Sequence, residues 1–162
     1  MAKIVRAMQS LDVDPVYSIE VVAHRAPWSR EIIHDCILVG YDCRVLELQE
    51  NASSKIISYV IARYYANYCH VLNLCVAVAH QGQGHGGYLL QTLINTLQYP
   101  LIDTITLEVR PSNLSALSLY QKMGFTQIGI KENYYCDSMG VEDAVILEKK
   151  VISQFEISRK TP

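Results

Sequence analysis

The chain has 162 residues and a mass of 18.3 kDa, which is enough to bury one sizeable core. Half of the residues are hydrophobic and the formal net charge is only −2, so no basic field indicates direct binding to nucleic acid. No apolar run approaches the roughly 20 residues of a membrane span, and the N-terminus lacks a signal-peptide pattern. We therefore expect a soluble, cytoplasmic protein without a membrane partner, with one domain over residues 1–150 and a C-terminal tail over residues 151–162.

The cysteines give neither a disulfide pattern nor a metal pattern. Their number is odd and no C-x-x-C pair occurs, so we expect no disulfide framework and no metal site. We expect reduced and largely buried thiols at the five positions, which are Cys36, Cys43, Cys69, Cys75 and Cys136.

The first forty residues predict a short strand followed by two helices. The strand covers residues 4–7, and the first helix runs over residues 12–24 with Asp12 or Asp14 as its cap. Its predicted apolar face consists of Val16, Ile19, Val22 and Ala23. Ser29 is the expected cap of a second helix that ends near residue 38, and Gly40 terminates it.

From residue 43 the hydrophobic pattern alternates with a period of two. Residues 43–50, 55–65 and 69–78 read as three strands, and their connections are short enough for antiparallel hairpins. A strand meander therefore precedes the glycine-rich loop that follows.

That loop lies between a strand and an amphipathic helix predicted over residues 86–98. Glycines at such a junction let an anion approach the free N–H groups of the helix N-terminus. A P-loop is excluded because Gly87 and Tyr88 stand where Lys-Ser/Thr is needed. The spacing G-x-G-x-x-G, with Glu108 about 20 residues further on, matches a dinucleotide loop. Read from Gln81, the same residues spell the Q-x-x-G-x-G pyrophosphate loop of acetyltransferases. A flexible turn without a ligand is the third interpretation. The strand meander before the loop disfavours the interpretation as a dinucleotide-binding loop.

Beyond the loop, one more strand and helix precede a final pair of strands. The strand covers residues 104–110, and the helix covers residues 114–123 with Ser112 or Asn113 as its cap and Gly124 at its end. The final strands cover residues 126–131 and 143–149, with a loop over residues 134–140 between them.

Several ordered motifs together resemble one family. They are L-E-V-R at residues 107–110, S-N at 112–113, L-Y at 119–120, G-F at 124–125, N-Y-Y at 133–135 and E-D-A at 142–144, with residues 24–29 and 73–86. In this order they resemble the Gcn5-related N-acetyltransferase (GNAT) family, and within it the RimI-type ribosomal-protein-alanine N-acetyltransferases. The resemblance implies an α/β (α+β) fold, a mixed and mostly antiparallel sheet of six or seven strands with four helices, splayed at the acetyl-CoA site.

The resemblance also implies acetyl-CoA as the co-substrate, without a metal, and two catalytic residues. Glu108 would accept the proton of the attacking amine, directly or through water, and the Tyr120 hydroxyl would donate to the departing thiolate. The alternatives are a carboxylate that is solvated or paired with arginine, and a tyrosine that only fills the core. The expected co-substrate contacts are Leu74, Cys75, Val76, Gly82, Gln83, Gly84, His85, Gly86, Gly87 and Asn113.

One departure from the family pattern lies in this loop. Gly82 stands where an arginine is common, so a cationic contact to phosphate is lost and the affinity for acetyl-CoA is expected to be lower.

By the same resemblance, Pro27, Trp28, Tyr134 and Tyr135 flank the acceptor, expected to be the N-terminus of a small-subunit ribosomal protein. Packed aromatic residues at the ends of regular elements are the structural alternative. The alternatives for function are an acetyltransferase for lysine or small amines, an NAD-binding oxidoreductase and a non-catalytic acyl-CoA sensor.

Overall fold

The structure is a computed structural model that describes residues 1–151. Within these residues, four α-helices and seven strands form. The helices are α1 Val13–Ala23, α2 Arg30–Leu38, α3 His85–Asn95 and α4 Leu114–Lys122. The strands are β1 Ala2–Ala7, β2 Asp42–Glu50, β3 Ser53–Tyr65, β4 Tyr68–Val76, β5 Thr104–Val109, β6 Thr126–Asp137 and β7 Gly140–Lys150.

The strands form one mixed sheet in the order β1-β2-β3-β4-β5-β7-β6, which confirms the predicted fold class. The pairs β1/β2, β2/β3, β5/β7 and β6/β7 are antiparallel. A doubly wound dinucleotide fold needs a parallel sheet, so the oxidoreductase interpretation of the glycine loop is wrong.

Two compact units make up the described chain, and each is built around its own strands. The first contains Met1–Arg63 and Val71–Leu93, and the second contains Tyr64–His70 and the residues from Ile94 onward. The single domain expected over residues 1–150 stays a prediction, and the tail expected after residue 151 lies outside the described residues. In residues 1–151, no helix is both long and apolar enough to cross a membrane.

In the first unit, helices α1 and α2 cover strands β2 and β3. The helices contribute Val13, Val16 and Ile33 to the core, and the strands contribute Val45 and Tyr59, all of them fully buried. The side-chain oxygen of Ser29 accepts from the Ile32 N–H at 3.2 Å, which confirms the predicted cap of α2.

The buried face of α1 differs from the predicted one. Val22 is 72% exposed, whereas Glu20 is only 1% exposed, so the prediction that Val22 belongs to the core face is wrong. Periodicity alone favoured the apolar side chain because an isolated buried carboxylate is costly. The cost is offset here by donors from other parts of the unit.

Four groups surround the Glu20 carboxylate. Its Oε1 accepts from the Trp28 backbone N–H at 2.9 Å, and its Oε2 accepts from the Asn73 amide at 3.2 Å and from the Tyr59 hydroxyl. The Nε2 atom of His24 lies 3.4 Å from Oε2. This one side chain therefore joins α1, the α1–α2 connection, β3 and β4.

The second unit is organised on the antiparallel strands β5, β7 and β6. Ile105, Leu107 and Val109 of β5 are buried, as predicted for one face of that strand. Helix α4 begins as predicted, because the Asn113 side-chain oxygen accepts from the Ala116 N–H at 3.1 Å. Gly124 ends it with φ +88°, a left-handed conformation that glycine adopts without strain.

Some predicted boundaries need correction. The loop expected over residues 134–140 is mostly strand, because β6 continues to Asp137 and β7 begins at Gly140. The β6/β7 register shifts between Lys131 and Tyr135, where Asn133 has φ +52°. Strand β6 continues beyond this irregularity. Helix α3 ends at Asn95 rather than near residue 98. All five cysteines are free, and four are buried, but Cys136 is exposed.

The first testable prediction concerns the buried carboxylate. The variant Tyr59→Phe keeps the ring of a fully buried residue and removes one donor to Glu20. We expect it to lower the free energy of unfolding by about 1.5–3 kcal/mol, the typical contribution of a hydrogen bond to a charged group, while Oε2 keeps its bond from Asn73. Denaturant unfolding measures this change. Tyr41→Phe, at a half-buried residue packed against the same core, is the control, and equal stability of the two variants would contradict the prediction.

Candidate active site

The glycine loop presents open backbone at the N-terminus of α3. Gly82 and Gly84 have φ of +72° and +80°, and the place of a Cβ is free of neighbouring atoms at both positions. The Tyr88 N–H bonds to the Gly84 carbonyl at 3.0 Å, so the N–H groups of residues 85–87 precede this first helical bond. Such groups, at the positive end of a helix dipole, suit a phosphate.

Two side chains stabilise the loop from within. The Gln81 amide donates to the Val76 carbonyl at 3.0 Å, and the Gln83 amide donates to the Ala79 carbonyl at 3.4 Å. His85 is buried with its ring 6.1 Å from that of His80. Burial lowers the pKa of His85, and the charges of Lys3 and His80 lower it further, so this ring contributes no positive charge near neutral pH.

The end of β4 carries the predicted contacts Leu74, Cys75 and Val76. Leu74 and Val76 are half-buried and Cys75 is buried. Burial raises the pKa of the Cys75 thiol to about 12; the charge of Glu20 raises it as well, and a backbone hydrogen bond to Val76 lowers it slightly. A neutral, buried thiol is a poor nucleophile, which fits a packing residue.

Cys75 also lies near two other residues whose side chains are of types that can ligate metals. Donor atoms of Glu20, His24 and Cys75 lie within 4.8 Å of one another. Both oxygens of Glu20 already accept hydrogen bonds, and the thiol is held neutral by burial. Within the group, Glu20 is therefore the residue that is held by hydrogen bonds to the surrounding core.

The predicted acceptor residues of the first unit lie after α1. Pro27 is exposed, and Trp28 is half-buried against the core. The backbone N–H of Trp28 donates to Glu20, and this bond fixes the backbone from which the indole extends. Trp28 thus fulfils the packing interpretation and still presents part of its ring.

In the second unit, Glu108 has a donor on each carboxylate oxygen. The Nε2 atom of His70 lies 2.6 Å from Oε2, and the Lys131 ammonium lies 2.7 Å from Oε1. Burial on its own would raise the pKa of Glu108, but the hydrogen bonds and charges of His70 and Lys131 outweigh it and lower the pKa to about 2. The carboxylate is therefore ionised at every pH at which the protein would work.

Aromatic residues extend from this ion pair towards solvent. The Lys131 ammonium lies 5.1 Å from the centre of the Tyr134 ring, and Tyr134 packs edge-to-face on Tyr135 at 4.9 Å. Tyr134 is 50% exposed, whereas Tyr135 is half-buried with the Arg110 guanidinium 4.2 Å from its ring. Tyr134 is thus a half-exposed aromatic residue linked to the Glu108 carboxylate through Lys131.

Arg110 fixes the surroundings of Tyr135. Its guanidinium pairs with Asp137 at 3.1 Å and with Glu142 at 3.2 Å. Glu142 also accepts from the Ser112 backbone N–H at 2.8 Å and from its hydroxyl at 3.0 Å. The L-E-V-R, S-N and E-D-A motifs are therefore connected by hydrogen bonds.

Tyr120 lies on the buried side of α4. It is 7% exposed, and its ring meets that of Phe125 edge-to-face with the centres 5.6 Å apart. This contact agrees with the core interpretation of the ring, and the role of the hydroxyl stays a prediction. Asn113 caps α4 through its oxygen, and its contact with the co-substrate likewise stays a prediction.

Three residues could not be found from the sequence, one in the first unit and two in the second. Glu20 was not predicted to be buried, because hydrophobic periodicity places only apolar side chains on the buried face of a helix. His70 and Lys131 belong to no motif. They meet Glu108 only because β4, β5, β7 and β6 are neighbours in the sheet. The alternation of side chains along β5 places Glu108 on the face opposite Leu107. This was the one signal in the sequence that the Glu108 carboxylate needs a hydrogen-bonding partner.

Comparison with known proteins agrees with the fold and the motifs. Residues 11–125 match the acetyltransferase (GNAT) family. The [ribosomal protein bS18]-alanine N-acetyltransferase of Escherichia coli K12 is 32% identical over 88% of this chain and 94% of its own length. That of Haemophilus ducreyi is 38% identical over 84% of this chain and 92% of its own length. The crystal structure of the Escherichia coli ribosomal-protein-S18-alanine N-acetyltransferase superposes with a TM-score of 0.83 at 30% identity, covering 94% of this chain and 96% of the other. Fold, motifs and relatives thus agree, and the chain belongs to the acetyltransferase (GNAT) family.

Proposed function

We propose that this acetyltransferase uses acetyl-CoA to acetylate the N-terminal alanine of a small-subunit ribosomal protein. The observation that carries the proposal is the ionised Glu108 carboxylate beside the exposed ring of Tyr134. Relatives at 32% and 38% identity bear the name of this activity, and they support the choice of acceptor.

The glycine loop fits the diphosphate of acetyl-CoA. Open backbone at Gly82 and Gly84 and the N–H groups of residues 85–87 provide donors without side-chain obstruction. No cationic side chain stands at position 82, so the backbone would supply the binding there. Acetyl-CoA supplies the activated acetyl group as a thioester.

Proton transfer decides which amine suits the site. In the reaction an N–C bond forms, the C–S bond breaks, one proton leaves the amine and one proton reaches the sulfur. Glu108 would take the first proton, directly or through water, and the Tyr120 hydroxyl would supply the second. A carboxylate with a pKa of about 2 is a weak base. An α-amine, with a pKa of about 7.7–8.0, is far easier to deprotonate than lysine at about 10.4.

The aromatic residues fit an extended peptide. Tyr134, in the second unit, is 50% exposed, and aromatic faces pack well against an unfolded N-terminal segment. Trp28, considered by itself in the first unit, is half-buried. Pro27 and Tyr135 would complete the acceptor surface within their own units. Tyr135 stays protonated there, because burial raises the pKa of its hydroxyl to about 12.

The choice of acceptor can be tested with peptides. We expect the protein and acetyl-CoA to add one acetyl group to a peptide that begins with alanine, and much less to peptides that begin with serine or methionine. A peptide with a blocked N-terminus and an internal lysine should stay unmodified, because the weak base cannot deprotonate lysine efficiently. Mass spectrometry measures the transfer. Acetylation of the blocked peptide would assign the protein to lysine instead, and binding without any transfer would indicate an acyl-CoA sensor.

The role of Glu108 can be tested by Glu108→Gln. We expect kcat to fall by about a hundredfold, the lower range of general-base catalysis, with the greatest loss below the pKa of the acceptor amine. The Kd for acetyl-CoA should not change. Stopped assays across pH 6–9 measure the rate, and Glu50→Gln, at an exposed residue at the end of β2, is the control. Equal rates for Glu108→Gln and the control would remove Glu108 from this role.

A substitution of Tyr120 can distinguish its interpretation as a general acid from its interpretation as a core residue. The variant Tyr120→Phe keeps the ring that packs on Phe125 and removes only the hydroxyl. We expect kcat to fall by about a hundredfold, as for the loss of a general acid, while Tm stays within a few degrees. Tyr99→Phe, at an exposed residue, is the control. A lowered Tm with an unchanged kcat would leave Tyr120 as a core residue only.

A further inference from the structure

His70 is the most buried partner of the Glu108 carboxylate. It lies in β4 and is 8% exposed. An ionised carboxylate only accepts hydrogen bonds, so the Nε2–H group of His70 must donate across the 2.6 Å contact. The other ring nitrogen, Nδ1, is buried and has no hydrogen-bond partner among the described residues. The imidazole therefore has one polar contact, and it is with Glu108.

Burial distinguishes His70 from the second donor to Glu108. The side chain of Lys131 is 45% exposed, whereas those of His70 and Glu108 are each 10% exposed. A half-exposed lysine on a flexible stem moves easily when an acceptor arrives. The His70 ring is held in place, with the Tyr65 ring at its edge at 6.3 Å and Tyr65 stacked on Tyr68 at 5.4 Å.

We propose that His70 is a positioning residue for acetyl transfer, holding the Glu108 carboxylate where it accepts the proton of the acceptor amine. This inference rests on the proposed role of Glu108. The groups that face His70 are Glu108 and, across the carboxylate, Lys131, together with the ring of Tyr65, on which Tyr68 stacks. Lys131 can leave the carboxylate as the acceptor binds, while His70 keeps its orientation.

Two substitutions test the contact. His70→Phe keeps a flat ring and removes the donor, and His70→Gln places an amide N–H close to the position of Nε2. We expect His70→Phe to lower kcat by about ten- to a hundredfold, the loss typical of a misplaced catalytic group, with an unchanged KM for acetyl-CoA. His70→Gln should recover most of that loss. His34→Gln, at a half-buried histidine of α2, is the control.

A second readout does not depend on turnover. The titration of the Glu108 side chain can be followed by carbon NMR, with Glu108→Gln to assign the signal. Loss of the His70 donor should move its pKa upward from about 2, because a hydrogen bond that stabilises the charged form is removed. His70→Gln should keep it low. His70→Asn, whose shorter amide does not reach Oε2, serves if phenylalanine prevents folding.

The outcomes separate this inference from the proposed function. A slow His70→Phe enzyme with a raised Glu108 pKa, both reversed by His70→Gln, supports the positioning role. If Glu108→Gln is slow but His70→Phe turns over like wild type, or if the Glu108 pKa does not move, the positioning role is overturned and Glu108 keeps its function. If Glu108→Gln itself is as fast as wild type, the proposed proton acceptor fails, and the role of His70 fails with it.

Discussion

A carboxylate that loses its water must gain donors, and the Glu108 ion pair is the interaction on which the candidate site depends. Burial disfavours the charged form, but His70 and Lys131 each place a donor on one oxygen and reverse the balance, so that the pKa falls to about 2. Lys131 in turn lies against Tyr134, the exposed aromatic residue of the proposed acceptor surface. The Glu108 carboxylate of β5 is thus bonded to His70 of β4 and to Lys131 of β6.

The same physical rule operates in the first unit, with a different result. Glu20 is as deeply buried as any core residue, and its partners come from α1, the α1–α2 connection, β3 and β4. Its donors are a hydroxyl, an amide and a backbone N–H, so the network is mostly neutral and mainly structural. Glu108 instead has two ionisable partners, one of them half-exposed. The carboxylate whose partner can move is the one suited to chemistry.

The fold and the motifs were largely predictable, because they depend on local rules. The caps at Ser29 and Asn113, the end of α4 at Gly124 and the alternation along β5 each follow from the chemistry of a few adjacent residues. The partners of Glu108 were not predictable, since His70 and Lys131 are distant in sequence and meet only through the sheet order. The assignment of Val22 rather than Glu20 to the core failed for a related reason. Periodicity ranks side chains by polarity, whereas burial depends on the donors that tertiary structure supplies.

The low pKa of Glu108 bears on which amine the proposed reaction would accept. In its proposed role, a carboxylate whose pKa is held this low by His70 and Lys131 would assist an amine that is already substantially neutral. At neutral pH an α-amine satisfies this condition to about one part in ten, and an unperturbed lysine to less than one part in a thousand. The difference between the pKa values of the two amines therefore favours an N-terminus over a lysine side chain in the proposed reaction. In the proposed reaction, selectivity among N-termini would come from exposed aromatic residues such as Tyr134.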